Sequence, residues 1–229
     1  MKPFPFLYAT LLASVLLTGC VTVNAVANTE EPPYKVVRND GDFELREYAP
    51  MIVAETNVSG SLDDASGRGF RVLADYIFGN NIAKPSGSAT GKSQKIAMTA
   101  PVVITQSDRP TREKIAMTAP VTIANTSGSN GTRWQMQFVM PLQYTLATLP
   151  TPVNDAVTLR ELPARRLAVF RFSGFSGDEK VTQKIAELNA WIERNGMKPV
   201  SIAQLARYNA PWTPPPFRRN EVMIEIAAN

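Results

Sequence analysis

The sequence contains no histidine, and it contains one cysteine among its 229 residues. Without histidine, the chain cannot form a catalytic triad around an imidazole base or bind a metal through an imidazole nitrogen. A lone cysteine also excludes an internal disulfide. The sequence has no glycine-rich phosphate-binding motif and no cluster of residues with metal-ligand spacing. These absences argue against an enzyme and favour a non-catalytic binding or structural role.

Long runs of one charge are also missing. The chain has 24 Lys and Arg residues against 20 Asp and Glu residues, a formal net charge of +4, and no basic run exceeds pairs such as Arg218-Arg219. A nucleic-acid-binding surface would need a denser basic patch, so no nucleic-acid partner is expected. Two Leu-Arg-Glu triplets place Glu47 and Glu161 at equivalent positions. We interpret both as exposed ion-pair residues; paired-carboxylate catalysis is the alternative.

The N-terminus has the layout of a secretory signal peptide. In residues 1–19, Lys2 precedes an apolar stretch that is too short to favour a membrane span. The run "LTGC" resembles a bacterial lipobox, which implies cleavage before Cys20 and lipidation of that residue. Several acyl chains on one residue anchor a protein firmly, so the membrane is an expected partner. The alternative is an ordinary signal peptide that happens to contain a cysteine.

This reading divides the chain into three parts. Residues 1–19 form the signal peptide, residues 20–33 form the lipidated Cys20 and a short polar tether, and residues 34–229 form the folded domain. Val21, rather than an aspartate, follows the cysteine. We therefore expect a protein of the bacterial cell envelope, lipid-anchored to the outer membrane and facing the periplasm.

Two stretches of the expected domain match each other. Leu45–Gly60 and Leu159–Gly174 share six identities in sixteen ungapped positions, which indicates an internal repeat. Each copy is followed by apolar residues at helical spacing, and the predicted helices end at Gly79 and Gly196. Ser176 and Glu179 have the spacing of a capping box for the second helix. Each half therefore reads as strand, strand, helix and further strand.

Other segments alternate between apolar and polar residues. Examples are "RWQMQFVMP" (133–141) and "EVMIEI" (221–226), in which glutamines and glutamates alternate with large apolar side chains. Such half-polar strands predict an antiparallel sheet with one face in water. Two helices and about eight such strands indicate an α+β fold with a curved sheet or a distorted barrel.

The octapeptide "KIAMTAPV" occurs twice, at Lys95–Val102 and Lys114–Val121. Both copies alternate like a strand, and a turn signal lies between them, so we predict a hairpin in which the copies pair. The alternative is that the first copy pairs elsewhere and the second belongs to an inserted loop. Near the C-terminus, "WTPPPF" (Trp212–Phe217) is interpreted as a rigid crossover with inward-facing rings, and docking of a partner is the alternative.

Several strings together carry a family resemblance. They are "YIFGNN", "KIAMTAPV", "WQMQFVMP", "VFRFSG" and, most specifically, "ARYNAPWTPPPFRRNEV". Through most of the chain after Cys20, the sequence resembles the SOUL-type haem-binding proteins. The resemblance implies two βαββ-like halves that form a distorted antiparallel β-barrel with two flanking helices. It also implies non-catalytic binding of haem or another tetrapyrrole by an apolar surface near the first helix.

The resemblance implies a set of ligand-binding residues on that helix, which we carry over by helical position, and two strand methionines are added to the set. On the helix they are Arg68, Phe70, Arg71, Leu73, Tyr76 and Ile77, with the arginines available for haem propionates. Met98 and Met117 are added because methionine adapts to irregular apolar ligands. Haem iron is usually held by His, Cys, Met or Tyr, and histidine is absent here. The expected site is therefore weakly coordinating or non-coordinating; an envelope scaffold, or an enzyme acting on a bound molecule, is the alternative.

Overall fold

The computed structural model describes residues 29–84, 92–106 and 132–228. The predicted signal peptide, Cys20 and the second octapeptide copy, including Met117, lie outside the described residues. The described part contains the helices α1 (Leu62–Phe78) and α2 (Asp178–Arg194) and eleven strands. The strands are β1 (Tyr34–Asp40), β2 (Phe43–Tyr48), β3 (Met51–Ser59), β4 (Asn81–Ile82), β5 (Val102–Gln106), β6 (Arg133–Val139), β7 (Thr151–Pro152), β8 (Thr158–Leu162), β9 (Arg165–Ser173), β10 (Gln204–Arg207) and β11 (Arg219–Ile226).

Nine of these strands form one antiparallel sheet in the order β1-β2-β9-β11-β10-β5-β6-β3-β8, and the short strands β4 and β7 pair separately. The segments β2-β3-α1-β5-β6 and β8-β9-α2-β10-β11 follow the repeat found in the sequence. Exchanging the two segments strand for strand reverses the order from β2 to β8 and preserves every pairing. The predicted α+β fold, with two similar halves, a barrel-like sheet and two flanking helices, is confirmed.

Each half of the repeat contributes a strand to the other. The consecutive strands β2 and β3 do not pair with each other, because β2 pairs with β9 and β3 pairs with β8. Leu45 lies opposite Ala168, and the repeat-equivalent residues Leu159 and Ala54 lie opposite each other in the same way. The two repeats therefore form one interlocked unit rather than two separable domains.

The helix predictions are confirmed except for one cap. Helix α1 begins after Ser61, whose hydroxyl accepts a hydrogen bond from the Asp64 amide at 3.2 Å. It ends at Gly79, whose φ of +131° favours glycine. The predicted capping box of α2 is wrong: Gly177 is the N-cap and provides no side-chain bond. Ser176 is instead engaged by the guanidinium of Arg207.

Both faces of the curled sheet are buried over much of their area. Helices α1 and α2 pack on one face, against side chains such as Met136 and Ile224. On the other face a second apolar cluster joins Val53, Leu167 and Met223 with residues of strands from across the sheet. The predicted wet face is therefore wrong, because the curl of the sheet encloses it. The polar side chains that alternate with the core, such as Gln137 and Glu221, are buried as a result.

An ion pair lies inside this enclosed face. Arg46 is 1% exposed and Glu221 is 0% exposed, and the two form a bidentate pair with N···O distances of 2.8 and 3.1 Å. Tyr208 donates to the same carboxylate at 2.6 Å, and Arg219 donates to it at 3.0 Å. Burial alone would raise the pKa of Glu221, but the bonds from Arg46, Tyr208 and Arg219 lower it overall.

The first octapeptide copy is not a strand before Val102, so the predicted hairpin arm is wrong. Residues 95–101 have no strand pairing, and Val102 alone begins β5. Strand β5 lies between β6 and β10, so both of its edges are already paired. The octapeptide instead crosses the end of α1, where Ile96 donates its amide hydrogen to the carbonyl of Ile77 at 2.8 Å. The alternative, in which the first copy pairs with other strands, therefore holds for Val102 alone.

The aromatic rings of the proline-rich segment face outward, which corrects the predicted inward packing. Trp212 is 85% exposed and Phe217 is 76% exposed. Arg218 holds the segment together by donating to the carbonyls of Thr213 and Pro211 at 2.7 and 2.6 Å. The rings are exposed because these bonds are made within the loop, which satisfies its backbone without burying its side chains.

The end of the predicted tether lies against the domain rather than apart from it. The carbonyl of Glu30 accepts a hydrogen bond from the Ala100 amide at 2.9 Å, and Glu31 forms an ion pair with Arg219 at 3.0 Å. Pro32 is buried. Residues 30–32, assigned to the tether from the sequence, therefore belong to the folded domain.

We expect Glu221→Gln to lower the free energy of unfolding by about 3–5 kcal/mol, because buried Arg46 would lose its bidentate carboxylate partner and keep only the carboxylate of Glu44. Glu47→Gln is the matched control, since Glu47 pairs with the half-exposed Arg166, and we expect it to lower stability by about 0–1 kcal/mol. Urea denaturation at pH 7 measures both. Equal losses in the two variants would contradict a structural role for the buried pair.

The lowered pKa of Glu221 also gives this contribution a pH dependence. A carboxyl group with a lowered folded-state pKa stabilises the protein above its unfolded-state pKa, about 4.3 for glutamate. That stabilisation is lost as the pH falls through the lower folded-state value. We therefore expect the difference in stability between wild type and Glu221→Gln to shrink at acid pH in the same titrations.

Candidate ligand-binding cleft

An apolar cleft opens beside α1, above the central strands of the sheet. Its floor and wall are formed by Val102 and Ile104 of β5, Met136 of β6, and Gly67 and Phe70 of α1. The cavity has a volume of about 330 Å³, within the range of small-molecule sites. Phe70 is fixed by an edge-to-face contact with Phe138, whose ring centre is 5.4 Å away. This cleft is preformed and can accommodate an apolar ligand.

A second and more polar cavity adjoins it. This cavity has a volume of about 300 Å³ and lies between the start of α2 and the loop after β10. Phe175, Arg218 and Asn220 line it on the side away from α1. Arg207, Asn209 and Pro211 line both cavities. The two cavities therefore share one wall, with the guanidinium of Arg207 in it; we call them the apolar cleft and the polar cavity.

Glycines in α1 shape the apolar cleft. A Cβ atom on Gly69 would lie 3.0 Å from the sulfur of Met136 and 3.2 Å from its Cβ, so glycine lets α1 approach β6 closely. A Cβ atom on Gly67 would meet only the side chain of Arg71, at 3.7 Å. Gly67 therefore leaves open space where a larger side chain would enter the cleft.

The structure divides the residues predicted on α1 into two groups. Phe70 and Arg71 line the apolar cleft. Arg68 lines neither cavity; it is exposed and donates a hydrogen bond to the carbonyl of Ser59. Leu73 and Ile77 face the core, with exposures of 0% and 1%. The predicted continuous ligand surface along α1 is thus limited to its first half.

Tyr76 and Met98 also lie away from the cleft lining. The hydroxyl of buried Tyr76 donates to the carbonyl of Pro150 at 2.9 Å, and burial raises its pKa. Met98 is half-buried against the core on the segment before β5. Glu47, one of the two glutamates at equivalent positions of the repeat, forms an ion pair with Arg166 at 2.6 Å, as predicted for an ion-pair residue.

Arg207, Asn209 and Pro211 were not predicted as site residues. They belong to the string "ARYNAP", which is part of the most family-specific stretch of the sequence. That stretch connects β10 with β11 and forms the wall between the two cavities. This family-specific string could have identified the three residues from the sequence. The prediction instead relied on position along α1.

A family model described as SOUL heme-binding protein matches residues 29–112 and 104–225. The chain belongs to the SOUL heme-binding protein family. The two matched ranges cover nearly all of the described domain, including both cavities. The family to which this SOUL protein belongs is described as haem-binding. No curated protein matches the sequence.

Solved structures show the same fold at low sequence identity. The EcmrR C-terminal domain is 10% identical, with a TM-score of 0.54, and the match covers 86% of this chain and 99% of that one. A hydrolase from Listeria innocua is also 10% identical, with a TM-score of 0.51 and coverage of 83% and 94%. At this identity the likeness extends to the fold alone and assigns neither hydrolysis nor regulation to the SOUL protein.

Within residues 29–84, 92–106 and 132–228, no group of three or more His, Cys, Asp or Glu side chains is arranged to hold a metal ion. Neither of the helices in these ranges combines the length and apolar character needed to cross a membrane.

We expect Gly69→Ala to destabilise the protein by about 1–3 kcal/mol, because Met136 must move away from the added methyl group. Gly67→Ala is the matched control on the same helix. It should raise stability by about 0.5–1 kcal/mol, since alanine restricts the unfolded chain and meets no close contact. Thermal unfolding of both variants checks the difference, and a stable Gly69→Ala protein would contradict close packing of α1 on β6.

Proposed function

We propose that this SOUL protein binds haem or another tetrapyrrole in the apolar cleft, without catalysing a reaction, and that it does so as a lipid-anchored protein of the cell envelope. The observation that carries the proposal is a preformed apolar cleft with cationic side chains at its rim, in a member of a haem-binding family. Phe70, Val102, Ile104 and Met136 would contact the macrocycle. Arg71 would lie beside the macrocycle at the rim of the cleft.

The residues of the cleft fit the macrocycle better than they fit an axial bond to iron. Met136 supplies the one sulfur in the cleft lining, and its side chain is 1% exposed beneath Gly69. Tyr76 is buried and Met98 lies outside the lining. We therefore assign no axial ligand among the described residues, and apolar contact supplies the affinity. Bound haem would contribute its iron chemistry, while this chain would hold the ring.

A second candidate function is an interaction with another envelope protein. The exposed rings of Trp212 and Phe217 favour it, because large aromatic side chains are typical anchors of protein interfaces. The cleft favours the ligand-binding reading, since it is a shaped cavity rather than two rings on a loop. Failure of tetrapyrroles to bind would support the interaction function instead.

The anchoring part of the proposal rests on the lipobox-like "LTGC" and on the short chain after it. The roughly nine residues from Cys20 to Thr29 span at most about 30 Å when fully extended. Glu30 and Glu31 are already bound to the domain, so they add no reach. The proposed lipid on Cys20 would thus keep the cleft close to a membrane, where hydrophobic ligands concentrate.

Titration of residues 21–229 with hemin, followed by the Soret band, tests the ligand. We expect a saturable shift, and we expect metal-free protoporphyrin IX to bind within about tenfold of hemin because no axial bond contributes. Gly67→Leu should fill the cleft and weaken the binding of hemin and of protoporphyrin IX by about tenfold or more. Asp75→Leu, on the exposed side of the same helix, is the matched control and should bind as wild type. The absence of a saturable shift of the Soret band below high micromolar hemin would contradict the proposed binding of haem.

Cys20→Ser tests the anchor independently of the ligand. We expect the wild-type chain, expressed in a Gram-negative host, to sediment with membranes and to incorporate radiolabelled palmitate. The variant should lose the label and be recovered in the soluble fraction, because the acyl chains hold the protein to the bilayer. An unlabelled wild-type chain would show that the cysteine is not lipidated.

A further inference from the structure

Arg207 is held rigidly in the wall between the two cavities. Its Nε donates to the hydroxyl of Ser176 at 3.0 Å, and its Nη2 donates to the Ser176 carbonyl at 3.1 Å. Its Nη1 donates to the hydroxyl of Ser66 in α1, also at 3.1 Å. A guanidinium carries five N–H donors. Among the described residues, two of these donors have no hydrogen-bond partner, and the guanidinium lines both cavities.

The charge of Arg207 is poorly neutralised for its degree of burial. Its side chain is 25% exposed, and the one carboxylate within 4.0 Å in the described ranges is that of Asp63. That oxygen is 3.9 Å away, beyond hydrogen-bond distance, on a side chain that is 86% exposed. Burial lowers the pKa of Arg207; Asp63 and Asp178 oppose this shift, and Arg218 adds to it.

The charge partners of Arg46 and Arg207 can be compared within the same protein. Arg46 is buried more deeply, with 1% of its side chain exposed against 25% for Arg207, and Glu221 meets it with two hydrogen bonds of 2.8 and 3.1 Å. A buried cation is expensive without such a partner. Arg207 has serine oxygens and a carbonyl in the corresponding positions, all of them uncharged. Its missing counter-charge is therefore consistent with an anion that arrives from outside the chain.

We propose that Arg207 binds the carboxylate of an amphipathic ligand whose apolar body occupies the apolar cleft. The acid group would lie at the shared wall, on the side of the polar cavity, which Asn209, Asn220 and Arg218 also line. A planar carboxylate matches the fork of a guanidinium. This assignment rests on the proposed function for the apolar body, and it adds that the ligand must carry an acid group at one edge.

The test uses the full chain in detergent, with protoporphyrin IX and its dimethyl ester as probes. The two probes share one ring system and differ in the charge of the two propionates. We expect wild type to bind the diacid at least tenfold more tightly than the ester, as read by porphyrin fluorescence. Arg207→Gln should remove this preference by weakening the diacid while leaving the ester unchanged. Arg160→Gln, which removes an exposed arginine of β8 remote from both cavities, should retain the preference.

Each other outcome separates this assignment from the proposed function. Equal binding of diacid and ester by wild type would overturn the carboxylate assignment while leaving tetrapyrrole binding intact. Because Arg207 also joins α1 to the segment before α2, through Ser66 and Ser176, Arg207→Lys supplies a second variant. Lysine keeps the positive charge but lacks the paired N–H donors of a guanidinium. A partial preference of Arg207→Lys for the diacid, with an unchanged midpoint of thermal unfolding, supports the assignment. Full retention of the preference in both variants would overturn it.

Absence of porphyrin binding would overturn the tetrapyrrole proposal, and a second probe then tests Arg207 alone. Dodecanoate carries one carboxylate on an apolar chain, and its methyl ester is the uncharged control. We expect dodecanoate, but not the ester, to shift the NMR signal of the Arg207 Nε–H saturably in the wild-type chain. That signal is identified by its absence from Arg207→Gln. No shift with either probe would overturn the carboxylate assignment.

Discussion

The pairing of β2 with β9 and of β3 with β8 is the constraint from which the rest of this structure follows. Because each repeat gives a strand to the other, the sheet runs continuously through both halves and curls on itself. The helices cover the strands near its ends, and the middle strands β5 and β10 lie between them. The apolar cleft has its floor there, so the exchange of strands positions the site.

The sequence predicts this architecture wherever periodicity and repetition are local. Helix α1 ends at Gly79 as expected, and the repeat relating Leu45–Gly60 to Leu159–Gly174 becomes the approximate symmetry of the sheet. The octapeptide is different, because alternation shows that a segment is extended but not which strand it meets. Strand β5 pairs with β6 along one edge and with β10 along the other, so neither edge is left for the predicted hairpin. The wet face was mispredicted for a related reason, since curl is a property of the whole sheet.

The candidate site was predictable only in part. Phe70 and Arg71 follow from helical position, but the same reasoning included Leu73 and Ile77, which are buried. One apolar helix face can pack against a core or line a cleft, and composition does not distinguish the two. The Arg207 wall is formed by the end of β10 and the β10–β11 connection, which only the folded sheet brings beside α1. Its charge is informative only when burial and missing partners are known, and both require the fold.

The approximate symmetry has a consequence for how such a site can diversify. The β10–β11 connection, which carries Asn209, Pro211 and the exposed rings, is the counterpart of the β5–β6 connection. The second octapeptide copy lies within that β5–β6 connection, so the duplicated sequence lengthens the repeat-equivalent of the loop that walls the cleft. The β10–β11 connection takes no part in the strand exchange. Substitution in this loop can therefore alter ligand choice while the interlocked scaffold is inherited unchanged.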